Sequence, residues 1–168
     1  MFKNKTMLGD ITMNLIYKTE SIVTPLCIKT HITYKLYLPM VCKKLIIEFS
    51  YNPKELDNAE ESMKIIKKAL KNYVNEEDMV YYKENLGNYL PLKNLITLSF
   101  DDKNGFRGCA HRQDNVQKLF ISNKSASPGL IQGSIPAGYF FITLSLHAIV
   151  TDFCKYKLFI WEGNDEFE

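Results

Sequence analysis

Hydrophobic and polar positions alternate through the first third of the chain. Ile11, Met13, Leu15 and Tyr17 take one parity, and Thr12, Asn14 and Lys18 the other. Ile32, Tyr34, Leu36 and Leu38 alternate with Thr33, Lys35 and Tyr37, and Leu45, Ile47 and Phe49 alternate with Glu48 and Ser50. Alternation over such short stretches predicts strands with one buried face. The period changes at Asn52-Pro53. Leu56, Ala59, Met63, Ile66, Leu70 and Tyr73 recur at helical spacing, which gathers them on one face. Asn52 is a candidate cap with Pro53 as the first helical residue and Glu55 two further on, and Asp57 with Glu60 offers a later start. A second short helix is predicted from about Glu76 to Leu86, ended by Gly87. Lys64, Lys67, Lys68 and Lys71 read as the solvated side of the first helix.

Strand patterning returns at Leu95–Phe100, Val116–Ser122, Tyr139–Val150 and Cys154–Trp161. In the longest of these, Phe140, Ile142, Leu144, Leu146, Ala148 and Val150 form an apolar face. Tyr139, Phe141, Thr143, Ser145 and His147 form the opposite one. With a weaker strand near Ile22–Ile28, these runs predict two packed antiparallel sheets. The expected fold is mostly β: an antiparallel, jelly-roll-like β-sandwich with an inserted helical segment at about 53–86. One domain is expected over 1–161, with a disordered acidic tail at 162–168.

Composition narrows the function classes. The 21 basic and 19 acidic residues are scattered and leave a formal charge of +2. No basic stripe or basic–aromatic interleaving marks a nucleic-acid surface, so no nucleic-acid partner is expected. Met1–Asp10 lacks the apolar core of a signal peptide, and no run approaches the ~18–20 apolar residues of a membrane span. A cytoplasmic protein without a membrane partner is expected. Cys27, Cys42, Cys109 and Cys154 are far apart and form no C-x-x-C pair, so reduced thiols are expected, the first, second and last as small core residues. Neither a metal site nor any cofactor is predicted.

One stretch departs from the rest. Five of the eight glycines lie between Gly105 and Gly138, which predicts turns or close backbone approach. The chain has two arginines, Arg107 and Arg112, both here; the other 19 of its 21 basic residues are lysines. Arginine confined to one hexapeptide suggests a need for its planar, bidentate fork. Asp101, Asp102, Arg107, His111, Arg112 and Asp114 form a dense polar cluster with two readings. In one, Arg107 and Arg112 grip a carboxylate, a phosphate or sugar hydroxyls, with His111 as a hydrogen-bond partner. In the other, the arginines pair with Asp101, Asp102 or Asp114 and pin a long glycine-rich loop. His147, beside Thr143 and Ser145, is either a lining residue of a concave ligand surface or a satisfied residue of the sandwich. His31 reads as structural or exposed, and Trp161 as a core or interface anchor. No G-x-S-x-G elbow accompanies the serines of S-N-K-S-A-S-P-G, and D-D-K-N-G lacks the full oxygen-donor set of a calcium loop.

The segments G-F-R-G-C-A-H-R, A-S-P-G-L-I-Q-G-S-I-P-A-G-Y and H-A-I-V-T carry a resemblance, as do S-Y-N-P-K-E-L and Y-L-P-L-K-N-L-I-T-L-S-F-D-D. Over roughly Leu45 to Trp161 the chain is similar to the β-sandwich domain found ahead of PHP-type metal-dependent phosphoesterase domains in some bacterial proteins. I-P-A-G-Y also resembles a turn of the pre-peptidase C-terminal jelly rolls. The pattern departs at Cys109, where relatives commonly have an aromatic residue, and at Tyr139, often tryptophan in relatives. The three histidines, His31, His111 and His147, are too few for the catalytic metal site of that family. The resemblance therefore implies the accessory module and not the hydrolase. The expected function is a non-catalytic binding or assembly module taking a small anionic or carbohydrate-like ligand at Gly105–Arg112, with Asp102, Asp114 and His147 contributing. A protein partner or self-association is the other form such a module takes. The alternative is a small hydrolase or lyase that uses His111 with Arg107 and Arg112.

Overall fold

The computed structural model describes residues 5–6, 13–110 and 114–163. The strands are β1 (Lys5–Thr6), β2 (Met13–Val23), β3 (Thr30–Leu38), β4 (Lys44–Asn52), β5 (Glu55–Leu56), β6 (Leu92–Lys93), β7 (Leu95–Asp102), β8 (Gly105–Ala110), β9 (Val116–Ser122), β10 (Gly138–Ala148) and β11 (Cys154–Gly163). Two helices, α1 (Ala59–Tyr73) and α2 (Glu76–Glu84), lie between β5 and β6. One sheet has the order β1-β2-β11-β4-β9 and the other β3-β10-β7-β8, while β5 and β6 pair on their own.

The antiparallel pairings are nested: β2 with β11, β3 with β10, β4 with β9, and β7 with β8. A ribbon folded over itself in this way is a jelly roll of two facing sheets. The inward parity of each strand fills the space between them. Leu45, Ile47, Phe49 and Tyr51 of β4 and Leu158 and Ile160 of β11 face Ile96, Leu98, Phe100, Phe140, Ile142 and Leu144 of the other sheet, all nearly inaccessible. A smaller cluster of Ile66, Leu70 and Leu86 holds the helical insertion together.

Several expectations change in detail. Asn52 does not cap α1, because β4 runs through it and β5 intervenes. The cap is Asn58, whose side chain accepts from the Glu61 amide at 3.0 Å. Tyr73, at the end of the predicted apolar face, is 77% exposed. Ile22–Ile28 is not a separate strand: β2 runs through Val23, and a 3-10 turn at Pro25–Cys27 follows. The eighth strand of the roll is instead β8, inside the segment expected to be a loop. β10 carries a bulge between Leu146 and Ala148, so Ile149 turns inward in place of Val150. β11 includes Glu162 and Gly163, placed in the tail by the pattern; 164–168 lie outside the described residues. Among the described residues no helix is long and apolar enough to cross a membrane.

Candidate functional site

Arg107 sits near the start of β8, and its donors turn inward to its own chain. Nη1 donates to Asp102 Oδ2 at 2.5 Å and to the Ser134 carbonyl at 3.4 Å, and Nη2 donates to the carbonyls of Ile131 and Gly133 at 2.9 and 3.1 Å. Asp102 is only 1% exposed at its side chain, and its second oxygen accepts from the Asn104 amide at 2.7 Å. The segment between β9 and β10 is thereby laid along β8: the Cys109 amide donates to the Gly129 carbonyl and the Ile131 amide to the Arg107 carbonyl. Glycine is required at this contact. A Cβ on Gly108, at φ +121°, would stand 2.2 Å from the Gly129 carbonyl oxygen. Of the two readings of the cluster, the one in which an arginine pins a glycine-rich segment describes Arg107.

Of the remaining candidates, Asp114 and His147 do not join Arg107. Asp102 and Arg107 lie at the end of the sandwich where β7 turns into β8, whereas Asp114 follows the far end of β8, its side chain exposed and its carbonyl accepting from Gln117. His111 and Arg112 lie outside the described residues. His147 is at the β10 bulge, where its Nε2 is 2.8 Å from the Thr97 hydroxyl. It belongs to a row of cross-strand pairs on the outer face of that sheet, with His31 to Ser145 at 3.0 Å and Thr33 to Thr143 at 3.0 Å. Cys109 also meets Thr97, and burial pushes its thiol pKa up while that hydrogen bond lowers it. These polar groups satisfy one another.

The outer face of the other sheet carries a different arrangement. The register places Glu48 of β4 directly between Phe159 of β11 and Lys118 of β9. Glu48 Oε1 pairs with Lys118 Nζ at 3.0 Å, and its Oε2 accepts from the indole Nε1 of Trp161 at 3.2 Å. The Phe159 and Trp161 rings are nearly parallel, with 11° between planes and centroids 6.4 Å apart. Beside them lies an open groove of about 310 Å³ lined by Glu48, Ser50, Val116, Lys118 and Phe159, with the Phe49 and Gln117 positions beneath. A carboxylate held from two sides, an ammonium group, a hydroxyl and an aromatic wall thus share one cleft. That combination presents both a surface for stacking and fixed polar groups for orientation.

The sequence did carry a trace of this site. Phe159 and Trp161 occupy the parity opposite Leu158 and Ile160, so two large aromatics fall on the solvent side of one strand. Glu48, Ser50 and Lys118 look like any polar outward positions until the strands are paired.

Among the described residues no group of three or more His, Cys, Asp or Glu side chains is placed to hold a metal ion. Comparison with protein-family models finds none that matches the chain, and comparison with curated proteins finds none similar to it.

Proposed function

We propose that this chain is a non-catalytic binding module that takes a hydroxyl-rich, sugar-like ligand in the groove between β4, β9 and β11. The observation that carries this reading is the register-fixed trio Phe159–Glu48–Lys118, completed by the Trp161 indole on the Glu48 carboxylate. A sugar ring offers an apolar face to an aromatic side chain, while its hydroxyls both donate to a carboxylate and accept from an ammonium group. The accessory module of PHP-type phosphoesterases, which the chain resembles in sequence, fits a role in which ligand is held and not turned over. The four free cysteines suit a cytoplasmic setting. For the alternative, a small hydrolase built on His111 with both arginines, the terminal nitrogens of Arg107 are already engaged by Asp102 and three carbonyls, so we prefer the binding reading.

Trp161 is the one tryptophan of the chain, so its fluorescence reports on the groove directly. Titration with a panel of neutral oligosaccharides should produce a saturable change for at least one of them. Glu48→Gln should weaken that binding by about tenfold, the size of one lost charge-assisted hydrogen bond. A panel that leaves the emission unchanged at millimolar concentrations, or a response that Glu48→Gln does not affect, would overturn the proposal.

A further inference from the structure

The helical insertion leaves a groove of its own. It measures about 670 Å³ and is lined by Lys67, Leu70 and Lys71 of α1, Met79 and Lys83 of α2, and Leu86 just beyond. Its floor is apolar, and its rim has three lysines and no carboxylate. Five acidic residues of this region, Glu60, Glu61, Glu76, Glu77 and Asp78, lie in the first turns of the two helices, where they complement the helix dipoles, and Glu84, the exposed last residue of α2, does not line the groove. Lys64 pairs with Glu60, but Lys67, Lys71 and Lys83 have no carboxylate partner among the described residues. A second observation concerns α2. It has nine residues and none is buried: Met79 and Tyr82, which face the helical cluster, are only partly covered, and the exposed Val80 and Tyr81 do not line the groove. A helix this short is marginal on its own and is normally held by packing one face against a neighbour. Here the neighbouring α1 covers only part of that face.

We propose that the α1–α2 groove docks an amphipathic helix from a partner protein, with apolar residues seated on Leu70, Met79 and Leu86 and acidic residues paired with Lys67, Lys71 and Lys83. A third helix laid across a two-helix hairpin completes the layer that α2 lacks, as in other helix-in-groove recognition. The uniform sign of the rim selects an acidic helix, since a basic one would be set against three like charges. This site is separate from the sandwich groove and does not depend on it.

The test is a displayed library of amphipathic helices about 18 residues long, roughly 27 Å, in which flanking positions vary among Glu, Lys and Ser. Selection on the whole chain should enrich glutamate flanks. A selected peptide should lose at least about tenfold in affinity for the Lys67→Glu, Lys71→Glu, Lys83→Glu variant, and its Glu-to-Lys counterpart should recover affinity for that variant. Amide exchange in α2 should slow when the peptide is bound. Enrichment of basic or uncharged flanks, affinity indifferent to the charge reversal, or binding of oleate or phosphatidylglycerol vesicles with no enriched peptide would each overturn the proposal.

Discussion

The guanidinium of Arg107 bonds one buried carboxylate and three carbonyl oxygens, and a lysine there keeps the charge but not the planar fork. Arg107→Lys should therefore lower stability by roughly 2 kcal/mol, a fall of about 4–8 °C in melting temperature for a chain of this size. Thermal unfolding of the unliganded protein checks this, and an unchanged midpoint would mean that the brace is dispensable. Gln117 offers the reverse case. It is 4% exposed, its Nε2 donates to the Asp114 carbonyl at 2.8 Å, and its Oε1 has no hydrogen-bond partner among the described residues. An unsatisfied buried oxygen costs about 1–3 kcal/mol, more than one neutral hydrogen bond returns, and the exposed Asp114 can turn to water. Gln117→Met should accordingly be neutral or stabilising in a urea titration, against the usual direction for loss of a buried hydrogen bond.

Among the elements, α1 and the long strands were legible in the sequence because their apolar residues keep one period. β8 was not. Its inward positions are Gly108 and Ala110, small because the Gly129–Leu130 backbone packs there, so no apolar stripe announces a strand. The same glycines that argue for turns are here the condition for one backbone to lie on another. Gly108→Ala should cost at least about 2 kcal/mol and should speed exchange of the Cys109 and Ile131 amides, which bond across that contact. Exchange rates equal to wild type would contradict the close approach. The helix start was misplaced for a related reason: Asn52 and Asn58 both precede helical spacing, and only strand pairing in β4 removes the first. Likewise the groove residues come from three separate strands, and only the register of β4 with β9 and β11 makes them neighbours.

For the molecule as a whole, the core contains groups that oppose ionisation. Cys154 is inaccessible to solvent, and burial pushes its thiol up to about 11 from an ordinary value near 9. Below about pH 9 the thiol is protonated in folded and unfolded chains alike, and its contribution is fully present. As pH rises from about 9 to 11 the unfolded chain ionises first, so stability should fall by roughly 2–3 kcal/mol over that window. Tyr34, 2.6 Å from the Tyr156 hydroxyl and also raised by burial, extends the loss to higher pH. Denaturant midpoints across this range should show a shallower fall for Cys154→Ala, and an identical slope would contradict the assignment. The two sheets then divide their work: one end of the roll is locked by Arg107 and its glycines, while the solvent face of β4, β9 and β11 is left open. Amide and indole chemical-shift mapping of the intact chain with a bound oligosaccharide tests that division most directly. Shifts are expected to concentrate at Glu48, Lys118, Phe159 and the Trp161 indole, with Gly105–Ala110 unmoved. Shifts confined to Gly105–Ala110, with the groove silent, would contradict it.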